Sequence, residues 1–471
     1  MDYNIKMEDF IPFFTRDGSV GLYSKTDEDI YHSVYGALSE AYDKFVLPAN
    51  IDELFMRKNE IKILDICYGI GYNTKAFLNY FLKNILQKKI EKKFTHADNI
   101  YSIDTDNILT KERTNLINYN YAIDTNNILN FSCENNELNN EKKCEFNLEK
   151  IKNKFASTLG LSKDKFLPNY KINITAIDTN DILLKLSPLF RTVGRLSNAE
   201  STGIKKVDKY LKNKINYKRK YKLSAEVNFI ILMSILDKYK EDYSSAEIEE
   251  IFKNVRFSKF LDKNMLNFMQ FYRNQGYKLS KEENKSTFLH NIYYRYISTC
   301  YKNTLKVLKN NEISFEWSTD DARSYLRSVN STFDVIFLDG FTPSKCPSLW
   351  SFEFLNILYS LLDSDGMLVT YSNSPAVRNA LIQNGFYIGK IYNFNEQKFT
   401  GTIAAKNSKF IKYALSDYEM GLLKTKSGIV YHDKTLLSKN EEIINEREIQ
   451  ISKSDLISST QYIKNNRGKK L

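Results

Sequence analysis

The stretch Lys62-Ile-Leu-Asp-Ile-Cys-Tyr-Gly-Ile-Gly-Tyr-Asn73 opens as a short apolar run, carries an acid at Asp65, and then places two glycines one residue apart. A brief apolar run bounded by turn signals is the pattern of a buried strand. Gly69 and Gly71 lack a Cβ, so the backbone there turns sharply and comes close to a ligand. Lys75-Ala-Phe-Leu-Asn-Tyr-Phe-Leu82 then reads as a helix. Strand, loop and helix form a corner that holds a nucleotide-sized ligand, and what it holds must be decided elsewhere in the chain.

Toward the amino terminus, Phe13-Phe14, the Asp17-Gly18 turn signal and Val20-Gly-Leu-Tyr23 predict a hairpin. Ser33–Val46 follows as an amphipathic helix that stops before Pro48. Residues 1–60 are therefore expected to be a small β-prelude and helix on the core. Toward the carboxyl terminus, residues 61–97 and 171–198 form the first half of the core and residues 291–415 the second. Between them lie two expected insertions. Residues 98–170 are rich in Asn, Lys and Glu, a low-complexity composition. They include two of three near-copies of one phrase, at Tyr101–Leu109 and Tyr121–Leu129; the third is Thr175–Leu183. Residues 199–290 are mostly helical in pattern, including Ala225–Tyr239 and Ala246–Phe260, and Ser286–Ile297 leads back into the core. Residues 416–471 read as a Lys-, Glu- and Ile-rich tail.

From Ile313 the rhythm is strand, loop, helix. Strands are expected at Ile313–Trp317, Phe333–Leu338 and Met367–Thr370, and a final hairpin at Phe386–Tyr392 and Phe399–Ala405. That alternation predicts an α/β sheet with its ligands at the carboxyl ends of the strands.

The composition narrows the function. Lys and Arg number 68 against 57 Asp and Glu, a net charge of +11. The excess suits a polyanion such as RNA and equally suits compositional drift in a Lys- and Asn-heavy chain. Five cysteines without a C-x-x-C pair and four histidines offer no disulfide framework and no metal cluster. The start Met1-Asp-Tyr-Asn-Ile-Lys lacks a signal-peptide pattern, and the best apolar run, Val227–Leu236, is too short for a bilayer. These features predict a cytoplasmic protein without membrane contact.

Acids recur at the ends of successive strands: Asp65, Asp178 or Asp104, Asp321 and Asp339. A carboxylate after the second strand accepts hydrogen bonds from ribose hydroxyls, and one after the third accepts from an adenine amine. Each aspartate alone reads equally well as a helix cap or turn residue. A dinucleotide fingerprint needs a third glycine where this chain has Thr74. The Asp-x-x-x-Gly-x-Gly form suits S-adenosylmethionine, which has no pyrophosphate to cradle. From the loop alone, either ligand stays open.

Phe337-Leu-Asp-Gly-Phe-Thr-Pro-Ser-Lys-Cys-Pro-Ser-Leu-Trp-Ser-Phe-Glu353 separates these readings. Here the chain resembles the methyltransferase domain of the MnmC family, whose hallmark Leu-Asp-Gly/Ala-Phe-x-Pro-x-Lys-x-Pro-x-x-Trp run is matched by Leu338–Trp350. The resemblance extends to Ile63–Asn73, Asp321-Ala-Arg323, Asp365–Thr370, Arg378–Phe386 and Thr425–Asp433, but not to the two insertions. It implies a class I S-adenosylmethionine-dependent methyltransferase, Rossmann-like in its sheet. The implied reaction methylates the 5-aminomethyl group of the wobble uridine of tRNA, with the enzymes that install that group as functional neighbours. Residues 406–471 show no second dinucleotide loop, so the resemblance is to the stand-alone, MnmD-like form with neither flavin nor metal. Other class I methyltransferases, aminopropyl transferases and a non-catalytic RNA-binding protein on this fold are the alternatives.

The resemblance implies roles for residues. Asp339 is the expected catalytic group. Asp65, Gly69, Gly71, Asn73, Asp178 and Asp321 are expected at the cofactor, with Asp104 the alternative to Asp178. Phe341 and Tyr31 are expected against the substrate, and Lys345 against a phosphate. Trp350 reads as core beneath the loop, and His32 has no assigned role beyond substrate contact. The cluster Lys205-Lys206, Lys212, Lys214 and Lys218-Arg-Lys220 reads as a further RNA surface or as a solvated face.

Overall fold

A three-stranded antiparallel meander, β1 (Phe10–Phe14), β2 (Val20–Ser24) and β3 (Asp29–Tyr31), begins the chain. The computed structural model describes residues 9–34, 36–86, 169–192, 202–211, 221–238, 255–262, 265, 303–304, 307–308, 311–394 and 396–467. The sheets and the site described below belong to the unit formed by Met1–Ile85 and Asn169–Leu471. Asp17 makes the first turn: its Oδ1 accepts from the Ser19 N–H at 2.9 Å and the Thr15 hydroxyl at 2.8 Å. Its Oδ2 accepts from the Ser39 N–H at 2.8 Å, so one side chain shapes the hairpin and satisfies helix α1 (Ala37–Glu40). The expected hairpin is present, with β3 as an unforeseen third strand. The expected helix of residues 33–46 is α1 continued by a π-helical turn, Ala41–Val46.

The main sheet has seven strands. They are β4 (Glu60–Ile66), β5 (Lys171–Ile177), β6 (Glu312–Ser318), β7 (Phe333–Leu338), β8 (Leu362–Thr370), β9 (Tyr387–Asn393) and β10 (Lys398–Ala405). Their order is β6-β5-β4-β7-β8-β10-β9, parallel from β6 to β8 and closed by the antiparallel β10–β9 hairpin. β4 and β7 are buried along most of their length, as central parallel strands covered on both faces must be. β4 pairs with β5 on one side and with β7 on the other. The chain's progress across the sheet reverses there, and the carboxyl ends of β4 and β7 flank the crevice where such sheets bind ligands. This is the class I S-adenosylmethionine-dependent methyltransferase fold expected from the sequence.

One face of the sheet carries a core of Leu64, Ile66, Ile336, Leu338, Trp350, Phe354 and Leu358, among others. Trp350 is fully buried and donates its ring N–H to the Phe341 carbonyl at 2.9 Å. It is core beneath the loop, as the sequence suggested. β8 starts at Leu362, before the expected Met367. Residues 362–366 extend the strand through a register shift beside Phe333–Val335, where Lys58 bridges Asp334 and Asp363.

Most of the proposed insertion at 98–170, including Asp104 and two of the repeated phrases, lies outside the described residues. So do Ser286–Ile297, Lys212, Lys214 and Lys218–Lys220. Within 199–290, the described residues include helices at Lys205–Leu211, Ala225–Lys238 and Val255–Ser258. Among the described residues, no helix is long and apolar enough to cross a membrane.

Candidate active site

The loop after β4 folds through three residues with positive φ: Cys67 at 63°, Gly69 at 55° and Gly71 at 78°. Gly71 permits no side chain, because a Cβ there would lie 2.3 Å from the Tyr68 hydroxyl oxygen. Tyr68 is itself buried and bonded to Ser187 at 3.0 Å. Helix α2 (Tyr72–Tyr80) starts directly after Gly71, and the Tyr72 hydroxyl accepts from the Val20 N–H at 2.8 Å. The prelude is thereby pinned onto the glycine loop. The Tyr31 ring comes over Gly69, where a Cβ would meet its Cδ1 at 3.2 Å.

A cavity of about 1260 Å³ opens at the carboxyl ends of the strands. Asp178, Asp321, Asp339, Tyr31 and Phe341 line it, so five of the expected residues are brought together. Eight carboxylate side chains line it in all, against Arg323, Lys439 and His32. Such a wall favours cationic ligands over anionic ones.

Asp339 follows β7. Its Oδ2 accepts from Asn73 Nδ2 at 2.9 Å and lies 3.4 Å from His32 Nδ1. Burial pulls the His32 imidazole down, but the Asp339 carboxylate outweighs it and holds the ring above its ordinary value. His32 has a left-handed backbone (φ 63°), and its ring stands edge-on to Tyr72 at 5.3 Å. Both His32 ring nitrogens and Asn73 Oδ1 are buried without a hydrogen-bond partner among the described residues.

Asp178 stands at the end of β5, in the place expected for the ribose-binding acid. Its Oδ2 accepts from the Gly69 N–H at 2.6 Å and its Oδ1 from the Asn180 N–H at 2.9 Å. Burial pushes its carboxyl up to about 6. Asp321 caps the short helix Ala322–Leu326 and pairs with Arg323 at 2.7 Å. It combines the capping role with a place on the cavity wall.

Two expected residues stand apart. Asp65 is fully buried beneath the loop and takes the Thr74 hydroxyl at 2.6 Å; burial pushes its carboxyl up to about 7. It holds the first turn of α2 and does not line the cavity. Lys345 donates to the carbonyls of Asp27 at 2.6 Å and Glu28 at 2.9 Å, so its ammonium fastens the loop to the β2–β3 turn. Gly69, Gly71 and Asn73 lie behind the lining and shape it.

The sequence reading missed three contributors. His32 carries no sequence signal beyond substrate contact, because nothing local marks a left-handed histidine beside Asp339. Arg323 joins Asp321 to Asp433, also at 2.7 Å, and so links the third parallel strand's helix to the carboxyl-terminal segment. Leu437–Glu441 reach the cavity wall, although this region reads as a charged tail.

Residues 283–407 match the family model described as S-adenosyl-L-methionine-dependent methyltransferase. A curated relative, the tRNA 5-methylaminomethyl-2-thiouridine biosynthesis bifunctional protein MnmC of Azoarcus, is 36% identical over 78 residues, 17% of this chain and 12% of its own. Residues 283–407 are thus similar to S-adenosylmethionine-dependent methyltransferases, and part of the chain is similar to MnmC. An uncharacterised protein of Methanocaldococcus jannaschii is 27% identical over 148 residues, 29% of this chain and 41% of its own. The chain thus spans less than half the length of these relatives. A crystal structure of MNMC2 from Aquifex aeolicus is similar at TM-score 0.45 and 17% identity, covering 96% of this chain and 88% of that one. The cofactor of the matched family is S-adenosylmethionine. The residues fit it: a glycine loop with no room for side chains, Asp178 on the cavity wall, and unpaired buried polar atoms beside Asp339.

Proposed function

We propose that this protein methylates the 5-aminomethyl group on the wobble uridine of tRNA, giving 5-methylaminomethyl. The observation that carries the reading is the placement of Asp339. Its Oδ2 is held by Asn73 and lies beside His32, in a cavity whose wall is dominated by carboxylates. Bound S-adenosylmethionine supplies an electrophilic methyl group on a sulfonium. The chain's own residues then have three tasks. Asp178, with Gly69 and Gly71 behind it, holds the nucleoside end of the cofactor. Asp339 accepts a hydrogen bond from the substrate amine, and its proton, so that the nitrogen lone pair faces the methyl. Tyr31 and Phe341, edge to face at 5.0 Å, form an apolar wall for the uracil ring.

The MnmC relative's printed name supports the choice of tRNA and of a methylaminomethyl product. The Leu338–Trp350 run, with its loop stiffened by Pro343 and Pro347, matches the hallmark of the same family and supports the same reading. The test is nucleoside mass spectrometry of tRNA carrying 5-aminomethyluridine, before and after incubation with the protein and S-adenosylmethionine. A gain of one methyl on that nucleoside is expected. A gain on another nucleoside, or transfer of an aminopropyl group, overturns the substrate assignment.

A further inference from the structure

The β9–β10 hairpin ends in an aromatic cluster that no part of the cavity uses. Phe394 is 71% exposed and Phe399 43%. Both rings lie edge-on to Tyr392, at 4.9 and 5.1 Å, and Tyr413 joins Phe399 at 5.4 Å. Lysines are interleaved with the rings. Lys390 Nζ stands 4.2 Å from the Phe399 centroid and 2.7 Å from Glu419, and Lys412 Nζ 5.3 Å from the Tyr413 centroid, while Lys398 on the tip pairs with Glu396 beside it, a pair open to exchange for a phosphate. Of the five lysines from Phe386 to Tyr413, Lys390, Lys398 and Lys412 belong to this cluster, while Lys406 and Lys409 serve the opposite end of the hairpin. Lysines alone would guard the free edge of β9 against strand pairing; exposed phenyl rings would defeat that purpose.

The tip stands next to the active site. Thr402 pairs with Thr370, the last residue of β8, so residues before it on β10 run past the carboxyl edge of the sheet. Glu396 of the tip acts electrostatically on Lys44, whose ammonium pairs at 2.6 Å with Glu40 of the cavity wall. The carboxylate-rich cavity repels phosphates. A polyanionic substrate that sends one nucleotide into the cavity must therefore have its backbone neutralised outside it.

We propose that the β9–β10 tip, centred on Phe394 with Lys398, binds unpaired nucleotides flanking the reacting one. Bases stack on the exposed rings, and lysines meet the phosphates. The proposal rests on the tRNA reading above and names the surface that would receive the loop.

The test measures binding without turnover. Fluorescence anisotropy follows an anticodon stem–loop RNA, and separately a fully paired duplex of equal length, on the full chain. Phe394→Ser is expected to weaken stem–loop binding about tenfold, while Phe394→Tyr keeps it and calorimetric affinity for S-adenosylmethionine is unchanged in both. Lys398→Glu is expected to weaken binding and flatten its salt dependence. Unchanged stem–loop affinity in Phe394→Ser and Lys398→Glu overturns the proposal, as does an equal loss for loop and duplex. A change in sedimenting mass with RNA affinity intact assigns the patch to a protein contact and also overturns it. The two readings fail separately. Stem–loop binding lost in the variants, with no methylation of tRNA by the wild type, supports this surface and rejects the activity. Methylation by the wild type, with KM for tRNA unmoved in the variants, does the reverse.

Discussion

Asn73 Nδ2 donates to Asp339 Oδ2 at 2.9 Å, joining the first turn of α2 to the end of β7 across the switch point of the sheet. His32 approaches the same oxygen from the prelude. Asp339 lines the cavity. The glycine-loop helix, the motif-bearing strand and the amino-terminal meander thus converge on one carboxylate.

Replacing the carboxylate separates binding from chemistry. Asp339→Ala is expected to bind S-adenosylmethionine nearly as the wild type and to lose about 10²–10⁴ in kcat, the usual contribution of a positioned acid–base group. Asn73→Ala leaves the carboxylate in place but frees it to rotate, so a smaller loss in kcat is expected. Calorimetry and single-turnover methyl transfer check both. Wild-type rates in Asp339→Ala would remove it from the mechanism.

His32 couples the same carboxylate to pH. Asp339, Glu40 and Asp65 act on its ring, and the net effect raises its pKa on folding. A group whose pKa rises on folding stabilises the protein fully below its unfolded value, about 6.5, and loses that contribution as pH climbs through the folded value. Asp65, pushed up to about 7, has the same sign but exerts most of its effect below neutrality. Above neutrality the histidine's falling contribution runs against a rising one from the buried Lys75, so variant and wild type are compared at each pH. His32→Gln is expected to make the change of Tm with pH more positive there, and an unaltered slope would show that the imidazole carries no linked proton.

What the sequence made legible was whatever local chemistry dictates. The apolar run into Asp65, the two glycines and the acids after β5, β6 and β7 each announce themselves within a few residues, and the sheet follows from them. Asp178 could be preferred to Asp104 because Lys171–Ile177 alternates as a strand. Long-range pairing was not legible. Lys345 looked free to meet a phosphate, yet the carbonyls of Asp27 and Glu28, more than three hundred residues away, take its protons. Leu437–Glu441 read as solvated tail because the partner that orders the segment, Arg323 through Asp433, lies on another element.

That link makes its own prediction. The Asp433 side chain is fully buried, and Arg323 supplies its countercharge at 2.7 Å. Arg323→Met leaves a buried, unpaired carboxylate, a change that costs about 3–5 kcal/mol. The denaturation midpoint should drop accordingly. The double variant Arg323→Met with Asp433→Leu should recover part of the loss, because the stranded charge is then gone; no recovery would mean that the arginine acts by packing alone.

Gly71→Ala tests the loop itself. The residue has φ 78°, and a Cβ would press into the buried Tyr68 ring. Left-handed strain costs about 1–3 kcal/mol, and the clash adds to it. Loss of cofactor binding is expected together with a lowered Tm. Gly203→Ala is the control: it shares φ 78°, but a Cβ would meet nothing within 4 Å. That variant should pay the strain and keep the cofactor.

A buried cation holds the back of the same loop. Lys75 is 2% exposed, and its ammonium donates to the Ser187 carbonyl at 2.6 Å. Ser187 in turn donates to the Ile70 carbonyl at 2.9 Å, between the two glycines. Burial lowers the Lys75 pKa to about 7. The unfolded chain therefore binds the proton more tightly than the folded one between that value and the ordinary lysine value of about 10.4, and folding should gain stability as pH rises across that window. Lys75→Met keeps the length of the side chain and removes the charge. Its stability should no longer rise with pH from 7 to about 10, and at pH 7 it should equal or exceed the wild type. S-adenosylmethionine affinity should fall, because Ser187 and the Ile70 turn lose their anchor. A Tm that still climbs with pH in Lys75→Met would assign the alkaline stabilisation to another group.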